Sequence, residues 1–296
     1  MSYADAALGL ILLGLSAYLL FGGADFGAGL WHLLARRRPA ERAVIEHAMG
    51  PLWEANHVWL IFVMVMTWTA FPPVFAAVMT AHWVPLSLAA LGIVARGSTF
   101  VFSKAVPERR WYAWTFGVSS VVTPYCMGAV AAALATGRSD WLSPTGLYGG
   151  LLTTALCGYL AAVYLVWDAR RLSPGSVGWF RARALAAGVA VGVLALPGAA
   201  LFGVGSPLIL LSAAAGLTSL VLLAGRRYLA VRVTAGLAVG AVLWGAAGLA
   251  DLGLHDAAAH DAVLRIVFIA LGAGAVILVP SLAWLYVLFQ RGPARA

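Results

Sequence analysis

The chain reads as an all-α polytopic integral membrane protein, and three observations predict it. Of its 296 residues, 62% are hydrophobic and only 10% are charged, where a soluble domain carries roughly 25% charged residues. The mean hydropathy is +0.92. The apolar residues fall into nine runs, approximately 6–34, 52–71, 74–102, 113–136, 146–167, 182–202, 207–224, 228–250 and 263–289. Each is long enough to cross a hydrocarbon core of about 30 Å as a helix rising about 1.5 Å per residue. Residues 1–296 form one transmembrane domain on this reading, with no soluble module or low-complexity linker.

The runs differ in what interrupts them. The first, 6–34, lacks a basic leader, is too long for a signal peptide, and stops at Arg36-Arg37-Arg38 as a stop-transfer segment does. It carries Asp25 in FGGADFGAG, where Gly23 and Gly27 give the small-xxx-small spacing of close helix packing. The second, 52–71, opens with GPLWEANHVWLI (50–61), which places Glu54, Asn56 and His57 among apolar neighbours. Pro72-Pro73 makes a tight turn into the third, 74–102, which holds Arg96. Pro124, Pro197 and Pro280 fall inside later runs, at positions that kink membrane helices. The seventh run, 207–224, is the shortest. Trp111, Trp141, Trp167 and Trp179 lie near helix ends, as in an aromatic belt.

The basic residues set the orientation. Arg36, Arg37, Arg38 and Arg42, then Lys104, Arg109 and Arg110, then Arg170, Arg171, Arg181 and Arg183, then Arg226, Arg227 and Arg232, and finally Arg291 and Arg295 all fall on one side. The opposite side holds only Arg138 and Arg265, beside Asp5, Asp140, Asp251, Asp256 and Asp261. The positive-inside rule puts the N-terminus outside and the C-terminus in the cytoplasm. Nine crossings require opposite termini, so the count and the charge agree. The net charge of +8 thus belongs to topology and not to a nucleic-acid surface. Cys126 and Cys157 lie in apolar runs without CxxC spacing, so neither a disulfide framework nor a metal site is expected.

Ionisable residues inside the membrane are functional candidates by default. Arg96 lies eight residues before Lys104, roughly 12 Å along a helix. Asp25 lies eleven residues before Arg36, about 16 Å from that inner end. Glu54 lies about one turn inside its own helix. All three fall in the inner half of the membrane, on consecutive runs. Glu54 and His57 share a helical face, with Trp53, Asn56 and Trp59 around them. An acid beside an imidazole can hold or pass a proton. The plainer alternatives are an acid favoured at a helix start, glycines that serve packing alone, and charges that only fix helix pairing. His82 is a lone histidine and reads as packed, while His32, His47, His255 and His260 read as solvated. Arg96 needs a counter-ion, expected from Asp25 or Glu54 or from a carboxylate of a partner.

These residues carry a resemblance. FGGADFGAGLW (21–31), GPLWEANHVWLI (50–61), FPPVFAA (71–77) and ARGSTFVFSK (95–104), in this order and spacing, resemble subunit II of cytochrome bd-type quinol oxidases. The specific signal covers about the first 110 residues, and the remainder matches in helix count and hydrophobicity. The resemblance implies two four-helix bundles plus one peripheral helix. It implies a heterodimer with subunit I, often with a very small third subunit, in the bacterial cell membrane. Subunit I would carry two b-type haems, a d-type haem and the quinol site, and this chain would bind no haem and no metal; some members hold a structural quinone. The complex would oxidise quinol and reduce dioxygen to water, drawing protons from the cytoplasm. Asp25 matches the second acid of the family's DGFDxG motif, Glu54 the acid of its second helix, and Arg96 its third-helix arginine. Trp53, Asn56 and Trp59 match the residues around Glu54. Gly22 stands where the motif has its first acid, so a proton route through Asp25, Glu54 and His57 would lack that group. A proton-coupled secondary transporter is the competing class, but no inverted repeat is visible and nine helices do not halve. A purely structural membrane scaffold is the other.

The orientation is testable. A reporter active only in the cytoplasm, fused after Ala296, should be active, and activity of an export-dependent reporter at that point would reverse the topology.

Overall fold

The computed structural model describes residues 2–49, 53–105, 110–202, 206–248 and 253–290. Among them every regular element is helical. Helix α1 (Tyr3–Ala17) starts at a capping box, in which Ser2 Oγ accepts from the Asp5 amide at 3.1 Å and the Ser2 amide donates to Asp5 Oδ2 at 2.8 Å. It passes through a π-helical turn, Tyr18–Gly22, into α2 (Gly23–Leu34). The three pieces form one span, Tyr3–Leu34. A short amphipathic helix, α3 (Pro39–Met49), follows. It was too brief and too polar to register as an apolar run.

Helix α4 (Trp53–Ala70) bends by 120° at Phe71 into α5 (Pro72–Ala81). The cause is local: a residue before proline is pushed out of the α region, and Pro72 suits the first turn of a new helix. The expected run 74–102 is not one helix. It divides at His82 into α5 and α6 (Trp83–Ala105). Pro85 has no N–H to bond back to Ala81, so it cannot continue α5 but fits the opening turn of α6.

The second part of the chain follows the expected runs closely. It comprises α7 (Arg110–Ala135), α8 (Pro144–Leu172), α9 (Val177–Phe202), α10 (Pro207–Ala224), α11 (Tyr228–Ala247) and α12 (Asp261–Gln290). Pro124, Pro197 and Pro280 lie inside α7, α9 and α12 as the sequence placed them. Among the described residues seven helical stretches are long and apolar enough to cross a membrane, or eight if the bent pair α4–α5 counts as one. Helix α6 is outside that set, and its polar run Arg96-Gly97-Ser98-Thr99 dilutes its apolarity.

Helix α8 is the hub, packing against α2, α7, α9 and α11. Its middle, from Tyr159 to Val166, is buried almost all round, which identifies an interior helix. Helix α6 packs on α7, α10 on α11, and α1 on α4. One core cluster joins α2, α3, α7, α8, α9, α10 and α11, while a smaller one joins Ala7 and Ile11 of α1, Val63 and Met66 of α4, and Leu264 of α12. Val267, Phe268 and Leu271 lean on that cluster, and from Gly272 onward the described side chains of α12 are exposed, with Val276 and Ile277 at 75% and 73%. In a membrane protein such a face meets lipid.

His32 departs from the expectation of a solvated ring. It is buried at the end of α2, because α3 folds over it. Its Nε2 lies 3.1 Å from Glu46 Oε1, and Arg42 Nε lies 2.9 Å from His32 Nε2 and 3.1 Å from that oxygen. The His32 ring and the Arg42 guanidinium together hold the Glu46 carboxyl below its usual range.

The glycines of α2 are where two backbones meet. A Cβ on Gly27 would lie 1.9 Å from the Cys157 carbonyl oxygen of α8. Backbone cannot yield as a side chain does, so Gly27→Ala should push α2 off α8. We expect a loss of about 1–3 kcal/mol, as for an overpacked core, read as a lowered Tm of the purified protein. Gly9→Ala, which meets nothing within 4 Å, should leave Tm unchanged.

Candidate functional site

Helices α2 and α6 bring Asp25 and Arg96 together, α4 and α7 add Asn56 and Ser120, and the side chain of Glu54, the third charge expected here, lies outside the described residues. Asp25 projects from α2, Asn56 from α4, Arg96 from α6 and Ser120 from α7. Asn56 Nδ2 donates to Asp25 Oδ2. Arg96 Nη2 donates to the backbone carbonyl of Asp25 at 2.7 Å, and its Nη1 donates to Ser120 Oγ. Ser120 Oγ in turn donates to the Phe116 carbonyl at 2.6 Å. The one hydroxyl thus accepts from Arg96 and donates to its own helix, which satisfies both its functions.

Arg96 is buried at 3% exposure. Its guanidinium carbon lies 4.4 Å from the Phe116 ring centroid and 5.2 Å from that of Phe26. Among the described residues no carboxylate forms an ion pair with it. The expected Asp25 counter-ion is therefore placed differently. Arg96 takes the Asp25 carbonyl, while the Asp25 carboxylate takes Asn56. The two charges still attract each other across the cluster. A planar guanidinium suits this arrangement, because its faces stack on rings while its edge donates.

Close approach is again made by glycine. A Cβ on Gly29 would lie 2.0 Å from Ser120 Oγ and 2.9 Å from Arg96 Nη1. Gly29 therefore opens the space that the guanidinium and hydroxyl fill.

The π turn sits immediately before Asp25. Tyr18, its first residue, is buried, and its ring meets both Phe26 and His57 edge-on with centroids 6.4 Å apart. Asn56 is buried and His57 is half-buried. Trp59 is exposed on the outer surface of α4 and does not join the cluster. The backbones of Trp53 and Glu54 begin α4, but both side chains lie outside the described residues. Glu54 and His57 keep the one-turn spacing of a shared face.

The sequence reading missed Ser120, Tyr18 and the two phenylalanines. The Ser119-Ser120 pair within an apolar run was a usable signal. The π turn had none, because one extra residue in a helical turn leaves no mark on apolar composition.

His82 is buried at the joint of α5 and α6, and its Nδ1 has no hydrogen-bond partner among the described residues. No group of three metal-ligating side chains converges among the described residues. The groups that do converge are a carboxylate, an amide, a guanidinium and a hydroxyl.

Removing Arg96 should be costly. Arg96→Leu leaves the Asp25 carbonyl and Ser120 hydroxyl without their donor and the Asp25 carboxylate without its cation. A loss of about 3–5 kcal/mol follows from an uncompensated buried charge. Arg96→Lys should recover part of that loss, since an ammonium keeps the charge but not the fork. Thermal unfolding of the two purified variants against wild type measures both.

The family model for cytochrome bd terminal oxidase subunit II matches residues 3–289. The chain is 26% identical over 155 residues to cytochrome bd ubiquinol oxidase subunit 2 of Bacillus subtilis strain 168, covering 47% of this chain and 46% of that one. It is 25% identical over 176 residues to cytochrome bd-I ubiquinol oxidase subunit 2 of Escherichia coli K12, covering 53% of this chain and 46% of that one. These matches span about half the length of the curated relatives. The fold is similar to a chain in the structure of bd oxidase from Geobacillus thermodenitrificans, with a TM-score of 0.78, 19% identity, and coverage of 99% of this chain and 100% of that chain. Taken with the helical membrane fold and the match along nearly the whole sequence, these findings place the chain in the cytochrome bd terminal oxidase subunit II family.

Proposed function

We propose that this chain is the second subunit of a quinol:dioxygen oxidoreductase in a bacterial cell membrane. It supports a haem-bearing subunit I and contributes a cytoplasmic proton path toward the oxygen-reducing site. The observation that carries the path is the buried cluster of Asp25, Asn56, Arg96 and Ser120, which four helices assemble inside an apolar protein. Buried polar groups of this kind in membranes mark proton and ion pathways more often than simple packing. Membership of the family supports the oxidase assignment.

The wider arrangement belongs to the same proposal. Nine crossings form two four-helix bundles and one peripheral helix, with α12 in the peripheral place. The N-terminus is outside and the C-terminus is cytoplasmic. The partners are subunit I, membrane lipids, quinol and a small third subunit, with a structural quinone as a further ligand. Subunit I would hold two b-type haems and a d-type haem, which would supply the electron transfer from quinol to dioxygen. This chain's part is to hold and pass protons. Glu54, in the first turn of α4, takes a proton from the cytoplasm. His57 on the same face relays it toward Asp25, whose carboxylate Asn56 orients through a hydrogen bond. Arg96 fixes the position of α2 through the Asp25 carbonyl and steadies negative charge on Asp25 without closing its oxygens in an ion pair.

A scaffold role is the second reading, and one observation favours it. Arg96 directs its hydrogen bonds to a carbonyl and a hydroxyl that stitch helices together. Oxygen uptake per haem d, measured across pH, separates the two. Glu54→Gln and Asp25→Asn should assemble with full haem content yet turn over more slowly. Subunit I has room for a route of its own, so we expect a drop of roughly threefold to tenfold, short of the hundredfold or more that losing a sole acid–base group costs. Unchanged uptake per haem in both variants at every pH would leave the chain a scaffold.

A further inference from the structure

A second charged feature lies away from the Asp25 cluster, where α2 ends and α9 begins. A cavity of about 500 Å³ is lined by Leu34, Arg36, Arg37 and Arg38. Arg38 also faces the Trp179 ring, with its guanidinium carbon 5.8 Å from the centroid. Arg183 lies over the same ring at 3.8 Å, and donates through Nη1 to the Trp179 carbonyl at 3.2 Å. Two guanidiniums therefore share one indole and repel each other. Glu41, 3.5 Å from Arg38, is the carboxylate that answers them. The Trp179 Nε1–H is buried and has no acceptor among the described residues.

These facts ask for the same thing. Surplus positive charge wants an anion. A buried N–H wants an acceptor, since leaving it bare costs about 1–3 kcal/mol. Guanidiniums stacked on an aromatic face are held with their edges outward, in the geometry that binds phosphate oxygens in pairs. Position narrows the source. Leu34 closes the span Tyr3–Leu34, and Trp179 and Arg183 lie in the first turns of the span Pro174–Gly198. The cavity is thus level with the membrane boundary, where headgroups are. Leu34 is 59% exposed and offers an apolar wall to an acyl chain. Basic pockets between membrane helices on the positive side bind anionic headgroups.

We infer that this corner is a binding site for the phosphate of an anionic phospholipid. Arg36, Arg37, Arg38 and Arg183 supply the charge, and the Trp179 N–H donates to a lipid oxygen. Trp179→Phe is the sharpest probe, because it keeps the aromatic platform and removes only the donor.

The test uses the detergent-purified protein with the subunits that accompany it. Native mass spectrometry counts retained phosphatidylglycerol, and thermal unfolding is followed with phosphatidylglycerol, phosphatidylcholine or inorganic phosphate added. Wild type should retain phosphatidylglycerol and be stabilised by it well above phosphatidylcholine. Arg38→Gln should weaken retention roughly tenfold, as the loss of a charge-assisted hydrogen bond does, and Trp179→Phe by severalfold. Arg171→Gln, an exposed arginine outside the cavity, should retain lipid as wild type does. Equal retention in Arg38→Gln and Trp179→Phe would overturn the site. Stabilisation by inorganic phosphate equal to that by phosphatidylglycerol would overturn the lipid as its occupant. If Arg38→Gln fails to fold, Trp179→Phe alone decides. None of these readings depends on oxygen uptake, so the site stands or falls apart from the proton path.

Discussion

The buried guanidinium of Arg96 is the constraint on which the first half of the chain depends. A charge of that size cannot be left bare in an apolar interior; the effective penalty is several kcal/mol even after relaxation. Every element around it answers that penalty. Helix α2 offers a backbone carbonyl, α7 offers a hydroxyl, and Phe26 and Phe116 offer ring faces. Each donor needs its acceptor within about 3 Å. Three helices must therefore cross closely, and side chains at the crossing would hold them apart. Gly29 is small for that reason, since any Cβ there meets Ser120 and Arg96.

The same logic extends to the hub. Between membrane helices the hydrophobic effect gives little, because lipid is as apolar as leucine; association rests on close packing and interhelical hydrogen bonds. Helix α8 obtains both. Gly27 of α2 lies against its backbone at Cys157, and a Cβ on Gly149 would meet Ala132 of α7. Trp31 donates from α2 to the Gly158 carbonyl at 2.7 Å, and Tyr159 meets Ser219 of α10 at 2.5 Å. The polar contacts fix register where apolar packing alone would let helices slide.

Much of this was legible in the sequence, and the boundary has a physical reason. Long apolar runs locate helices because backbone groups in lipid must bond internally. Depth along a run, read from Arg36 or Lys104, placed Asp25 and Arg96 together correctly. The pairing was less legible. A buried arginine announces a need for acceptors, but a backbone carbonyl satisfies it as well as a carboxylate, and carbonyls have no letter in the sequence. His32 went wrong for a related reason. Its burial comes from α3, whose polar composition hid it, and whose Arg42 and Glu46 meet the imidazole only after the chain turns back. The break at His82 was written in Pro85, but an apolar run on both sides masked it.

The two halves of the protein hold their charges differently, and that difference bears on where chemistry belongs. In the second half the Arg170 end of α8 faces α11 through a stack of alternating cations and rings. Arg170 lies 5.4 Å from Trp167 and 5.3 Å from Tyr228, and Arg232 lies 4.6 Å from Tyr164 and 5.9 Å from Trp167. These arginines stand at the basic boundary of their helices, where charge costs little and stacking anchors two helix ends at the surface. Arg96 instead stands well inside α6, where charge is expensive and only a shaped pocket holds it. Anchoring explains the first arrangement, since Arg170 is exposed near the end of α8 and Arg232, half-buried, lies in the opening turns of α11. It does not explain the second. Apolar residues would pack α2, α6 and α7 without any desolvation penalty, as replacements of buried ion pairs by hydrophobic side chains do in soluble proteins. The cost borne at Arg96, with Asp25 and Asn56 beside it, is therefore more than packing α2, α6 and α7 requires, and the proposed proton path is a use for charge at that depth.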